Sequence, residues 1–164
     1  MKLIAFALTA IVATAAHANS DSDFDFLLGE HDVTLHAWTG DGWTPPRPQN
    51  AEWHGYKGLR DAVIIDEWFD PQGGRGINVR MYDAEAKIWH MMWVSTNGKQ
   101  VQDLRAEMRD GTLTMWQAYP ERPNWHAQFS SIDACSWARE DGVTKDGVWQ
   151  PSFRLVATKR NCQP

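Results

Sequence analysis

Apolar and polar positions alternate along most of the chain after residue 30. Runs rich in Val, Ile, Trp, Thr and Tyr recur roughly every ten residues and are separated by turn-forming residues, a pattern typical of short antiparallel strands. It predicts ten strands, at residues 31–38, 52–57, 62–69, 77–83, 88–96, 100–109, 112–119, 125–132, 134–140 and 153–160. No segment keeps an apolar 3.6-residue period long enough for an internal helix.

Short turns connect these strands, and they define the fold class. Asn97-Gly98 and Asp110-Gly111 are dipeptides of tight hairpins, because both central positions favour a positive φ. Sequential strands without helical crossovers predict an all-β fold, an antiparallel up-and-down β-barrel of about ten strands, since closure removes exposed edges. Such a barrel is wide enough for one small ligand. A flattened sandwich is the alternative.

The N-terminus is typical of an export signal. Lys2 precedes an uncharged apolar run at residues 3–16, and Ala16-His17-Ala18 is a small-x-small cleavage site. A membrane anchor is the alternative, but the run is shorter than the roughly 20 residues of a spanning helix. We therefore expect a signal peptide at residues 1–18, no membrane span after cleavage, a single domain at residues 19–164, and a periplasmic or secreted protein.

Apolar residues also precede the first strand. An acidic stretch at residues 21–25 leads into Phe24, Phe26, Leu27 and Leu28 and ends at Gly29. We expect a short helical turn here that plugs part of the fold.

Cys135 and Cys162 are the only cysteines. In an oxidising compartment an even pair is typical of a disulfide, and we predict one here. Neither cysteine has a neighbouring His or a second Cys, as a zinc site or an activated thiol would require.

The charge balance excludes one class of partner. The chain has 16 Lys+Arg against 21 Asp+Glu, a net charge of -5, and no basic cluster. Binding of nucleic acid needs a positive surface that neutralises phosphates. We therefore expect no nucleic-acid partner. We also expect a monomer.

Several segments resemble a bacterial family of uncharacterised exported proteins, which is similar to the lipocalin, fatty-acid-binding and nitrobindin barrels grouped as calycins. They are Phe26-Leu27-Leu28-Gly29-Glu30-His31, Asp66-Glu67-Trp68, Tyr82-Asp83 with Trp89 and Trp93-Val94, and the late stretch from Trp137 to Trp149 with Lys159-Arg160. The resemblance implies a small up-and-down barrel that binds an apolar small molecule or, in nitrobindins, haem. In calycins the first strand carries Gly-x-Trp, and this chain has His31 in place of that Trp. A late Arg lies across the Trp in calycins, and the candidates for it here are Arg160 and Arg154.

Alternation within the predicted strands at residues 77–83 and 88–96 defines two faces for each strand but does not show which of them points inward. One alternative places the aliphatic side chains inside. The other places Arg80 and Tyr82 inside as an anchor for an anionic head, and an inward Arg80 then needs a ligand or an Asp to meet it. The candidate ligand-binding residues are Arg80, Tyr82, His90, Trp93, Gln117 and His126.

Histidines and tryptophans each allow a structural and a functional interpretation. His31, His36, His54, His90 and His126 show no paired spacing, so a structural role is favoured for each and we expect no metal site. His90 and His126 are the candidates for a haem ligand. The ten Trp residues suit either a packed barrel or a pocket for a flat ligand. The loop at residues 39–50 is either a lid that carries Trp43 or a tethered surface loop.

Three functions follow from these features. The first is binding of a small apolar or amphipathic ligand without a cofactor. The second is haem binding. The third is cofactor-free catalysis, such as isomerisation or hydrolysis, which needs a carboxylate or a His with a perturbed pKa in the cavity. The strand-borne acids are Asp66, Glu67, Asp103 and Glu107, and the chain contains no nucleophile-elbow, phosphate-loop or dinucleotide motif.

Overall fold

The computed structural model describes residues 20–162 and confirms the predicted all-β barrel. The predicted signal at residues 1–18 lies outside the described residues. One 3₁₀ turn, η1 (Asp25–Leu27), precedes ten strands. They are β1 (Gly29–Ala37), β2 (Ala51–Gly58), β3 (Val63–Phe69), β4 (Arg75–Asp83), β5 (Ile88–Ser95), β6 (Gln100–Arg109), β7 (Thr112–Tyr119), β8 (Trp125–Ser130), β9 (Ser136–Lys145) and β10 (Val148–Lys159).

Each strand pairs antiparallel with its neighbours in the chain, and the first and last strands close the ring. His31 in β1 faces Lys159 of β10 on one side and Trp53 of β2 on the other. Closure leaves no strand of this sheet with an unpaired edge. The fold is therefore an up-and-down barrel, consistent with a calycin-like architecture, and not a sandwich.

The last hairpin is longer than the sequence pattern predicts. β9 continues to Lys145 and β10 begins at Val148, so the two strands flank a two-residue turn. Asp146 and Gly147 have φ values of 52° and 75°, as a tight hairpin requires. Asp110 and Gly111 adopt the predicted positive φ as well.

The predicted helical turn closes one end of the barrel. Phe24 and Leu27 are completely buried, and the Phe24 ring forms T-shaped contacts with Trp89 and Phe129 at centroid distances of 5.1 and 5.5 Å. The turn lies close to β2, because a Cβ atom on Gly55 would lie 2.0 Å from the carbonyl oxygen of Leu27. We call this closure, Phe24 to Leu27, the plug.

Cys135 and Cys162 form the predicted disulfide, with 5.5 Å between their Cα atoms. It joins the β8–β9 connection to the segment after β10, at the plug end of the barrel. Within residues 20–162 no helix is long and apolar enough to cross a membrane.

Candidate ligand cavity

A cavity of about 350 Å³ lies inside the barrel, towards the end opposite the plug. Five aromatic side chains form much of its wall, and polar and charged groups complete it. The full lining is Leu35, Arg47, Trp53, Trp68, Asp70, Asn78, Trp93, Gln102, Leu104, Met115, Gln117, Arg122, Trp125, Arg139, Asp141, Phe153 and Leu155. The volume is at the lower end of the range for small-molecule sites.

A buried ion pair separates this cavity from the plug. Arg80 and Asp66 are both fully buried, with Nε to Oδ2 at 2.5 Å and Nη2 to Oδ1 at 3.3 Å. The Arg80 guanidinium also lies 4.4 Å from the Phe24 ring centroid and 3.0 Å from the sulfur of Met91. Burial raises the pKa of the Asp66 carboxyl, and the charge of Arg80 opposes that rise. The pair lies one inward-facing position deeper than Asn78 and Trp68, which line the cavity.

A second ion pair is exposed to the cavity. Arg139 donates from Nε and Nη2 to the two carboxylate oxygens of Asp141, at 2.8 and 2.9 Å. The two side chains are 16% and 15% exposed. Bidentate geometry of this kind is strong and directional, so Asp141 neutralises Arg139 within the cavity wall.

Two buried polar atoms of the cavity wall have no hydrogen-bond partner among the residues described. They are Oδ1 of Asn78, whose side chain is 2% exposed, and Nε1 of Trp53. Buried polar atoms are nearly always satisfied in folded proteins. Both atoms are buried within the wall itself, so they are unsatisfied groups packed beside the cavity.

The candidate residues from the sequence divide between the cavity and other places. Trp93 and Gln117 line the cavity. Gln117 accepts a hydrogen bond from Nε2 of Gln102 at 3.3 Å and donates one to the carbonyl of Pro120 at 2.7 Å. Arg80 faces inward, but its guanidinium is already paired with the carboxylate of Asp66. Tyr82 is half-buried beside Trp89 at the plug end, 5.4 Å between ring centroids.

His90 and His126 lie on the outer face of the barrel, which corrects the expectation that they meet an interior ligand. His90 pairs in register with the exposed Met81, and its Nε2 lies 3.8 Å from a carboxylate oxygen of Asp83. His126 stacks on Trp149 at 4.1 Å. Burial, together with the nearby charge of Arg109, lowers the pKa of His126.

The cavity does not fit the haem alternative. Protein-bound haem iron is held by His, Cys or Tyr, or by Met beside a His. The lining contains Met115 but no His, Cys or Tyr. Among residues 20–162, no group of three or more metal-capable side chains lies together either.

The acids that the sequence offers for catalysis also lie elsewhere. Asp66 is neutralised beneath the cavity by Arg80. Asp103 and Glu107 pair with the neighbouring arginines Arg105 and Arg109, and Glu67 is not part of the lining. The acids that do line the cavity, Asp70 and Asp141, each have an arginine partner, so neither of them is a free general base.

The long loop before β2 is tethered along β1. Thr44 donates its backbone N–H to the carbonyl of Ala37 at 2.9 Å, and Arg47 donates to the carbonyl of Leu35 at 3.2 Å. Trp43 packs on Trp38, 5.2 Å between ring centroids, and does not line the cavity. The residue that this loop contributes to the cavity is Arg47, whose Nη1 lies 3.7 Å from Asp70.

Sequence reasoning missed several cavity residues, and for some of them a signal existed. Trp137, Arg139 and Asp141 share one face of β9 by alternation, so a buried Trp137 places both charged residues on the inner face. Trp53 and Asn78 follow from the same rule applied to β2 and β4. Arg122 lies in a loop, where no periodicity predicts the direction of a side chain.

Comparison of the sequence with protein-family models and with curated proteins gives no significant match. What supports the likeness to calycins is therefore the barrel itself.

Proposed function

We propose that this protein is an exported barrel that binds a small apolar or amphipathic ligand in the interior cavity. The observation that carries the proposal is an aromatic-walled cavity with a few polar groups, set inside an otherwise filled barrel. This combination is typical of small-molecule sites.

The aromatic lining of the cavity supports the same proposal. The aromatic walls contribute apolar contact, and the faces of Trp68, Trp93 and Trp125 suit a flat body.

Export is part of the proposal. The disulfide is typical of an oxidising compartment, and the predicted signal at residues 1–18 accounts for how the chain reaches it. We propose a periplasmic or secreted protein of the calycin-like exported family that the sequence resembles.

The test is a titration with N-phenyl-1-naphthylamine, a neutral aromatic dye that fluoresces in apolar sites. We expect Met115→Trp to weaken dye binding about tenfold or more, a loss of about 1.4 kcal/mol, because Met115 is buried in the cavity wall and the larger ring fills the space. Met115→Phe is a milder variant if the first does not fold.

Met92→Trp is the matched control, since Met92 lies on the outer face and is 47% exposed. The proposal fails if folded Met115 variants bind the dye as tightly as the unmodified protein. Native mass spectrometry and an absorption spectrum of protein isolated from its own compartment complete the test. A retained organic mass supports ligand binding, whereas a Soret band overturns it in favour of haem.

A further inference from the structure

The charges of the cavity lining do not cancel. Three arginines and two aspartates line it, with no Lys, Glu or His. Asp141 accepts two hydrogen bonds from Arg139, and Asp70 lies beside Arg47. Arg122 has no carboxylate partner within residues 20–162. The cavity thus carries one uncompensated positive charge in a chain whose net charge is -5.

Arg122 is held at the cavity mouth by its surroundings. Its guanidinium lies 5.6 Å from the ring centroid of Trp125, which itself lines the cavity. Its carbonyl accepts a hydrogen bond from the backbone N–H of Trp125 at 3.1 Å. The same loop is fixed to the cavity wall through Gln117, which donates to Pro120. The backbone of this loop is thus fixed beside the cavity, while the Arg122 side chain itself is exposed.

The cavity below this charge is short and lined by rings. Four tryptophans and Phe153 surround it, and its volume of about 350 Å³ is small for a binding site. Flat rings pack on such walls face-on or edge-on. A long flexible chain would lose more conformational freedom on entering and would find fewer matching contacts.

We propose that the ligand is a small aromatic monoanion, whose carboxylate or sulfonate lies against Arg122 and whose flat body lies among the tryptophans. This inference rests on the proposed function and adds the charge and shape of the ligand to it. The charge-assisted contact orients the ligand, since guanidinium groups bind such anions through paired donors.

A pair of matched dyes tests the charge. 8-Anilinonaphthalene-1-sulfonate has the ring system of N-phenyl-1-naphthylamine plus a sulfonate. We expect Arg122→Gln to weaken binding of the sulfonate dye about fivefold, as for a solvent-accessible ion pair, and to leave binding of the neutral dye within about twofold of its original value. The fivefold effect shrinks in about 0.5 M salt because the charges are screened.

Two control variants isolate the role of this charge. Arg60→Gln removes an exposed arginine from the β2–β3 turn at the plug end and leaves both dyes unaffected. Arg122→Lys keeps the charge and restores part of the sulfonate affinity. The neutral dye displaces the sulfonate dye, since both occupy one cavity, and palmitate competes poorly with either.

Failures of the two proposals give different results. If the neutral dye does not bind the cavity, the proposed function is wrong. If the neutral dye binds but Arg122→Gln leaves the sulfonate dye unaffected, or weakens both dyes equally, only the anionic head is wrong. Sulfonate binding that the neutral dye cannot displace would place the anion in the outer pocket beside Trp116 and His126, which Arg122 also lines, and this result also overturns the inference.

Discussion

Breaking the buried Arg80–Asp66 pair is expected to destabilise the barrel strongly. Both side chains are completely buried and joined by two hydrogen bonds, so removal of either partner leaves a charge without solvent or counterion. The cost of that is about 3–5 kcal/mol, a large part of the roughly 5–15 kcal/mol that stabilises a typical domain. We expect Arg80→Met and Asp66→Leu each to lower the melting temperature by about 10 °C or more.

The two single variants should differ in their pH dependence. After Arg80→Met, burial raises the pKa of Asp66, and of the two arginines that oppose the rise only the charge of Arg139 remains. An acid whose folded pKa lies above its unfolded value stabilises the fold as the pH falls, so the deficit of Arg80→Met shrinks towards acidic pH. After Asp66→Leu the guanidinium remains, and arginine does not lose its proton. The deficit of Asp66→Leu should therefore persist.

Urea unfolding followed by tryptophan fluorescence measures both effects, at pH 7.5 and at about pH 5. The double variant Arg80→Met/Asp66→Leu is the control, because replacing a whole buried pair with apolar groups is often neutral or stabilising. Single variants within about 1 kcal/mol of the original protein, or a double variant no more stable than the singles, would refute the assigned role of the pair.

Two further predictions concern the plug end. Burial, with a contribution from the charge of Lys159, lowers the pKa of His31 from 6.5. Because His31 binds a proton less readily in the folded state than in the unfolded state, the free energy of unfolding falls as the pH drops below 6.5. The decrease is at most about 1.4 kcal/mol per pH unit. His31→Gln should reduce the dependence of the melting temperature on pH between pH 7 and pH 5, whereas His90→Gln on the outer face should not. The same pH dependence in both variants would contradict this prediction. Gly55→Ala should destabilise the protein by about 1–3 kcal/mol, because its Cβ would lie 2.0 Å from the carbonyl oxygen of Leu27. Gly42→Ala, with nothing within 4 Å, is its control in thermal unfolding, and similar losses in both would exclude steric contact with the plug.

Strand positions were predictable because alternation and turn residues are local signals. The predicted bounds of β6 and β7 match the structure, since Asp110-Gly111 marks the hairpin between them. The Asn97-Gly98 turn also forms, but the positive φ falls on Lys99 in a longer loop. The bounds of the last hairpin were wrong because the prediction did not use the Asp146-Gly147 signal.

The inner face was harder to predict. In β4 and β5 the aliphatic residues lie outside, while Arg80, Met91 and Trp89 are buried. Apolar content does not identify the inner face here, because the buried Arg80 is paired with Asp66 from the neighbouring strand β3. Alternation gives the two faces of a strand, but only long-range pairing shows which face meets the centre.

Closure between β1 and β10 has a consequence for how the chain acquires its fold. His31 pairs with Lys159, so the ring cannot be completed until nearly all of the chain is available. Contacts so distant in sequence make folding slow, and until β10 arrives β1 has an open edge that other chains can pair with.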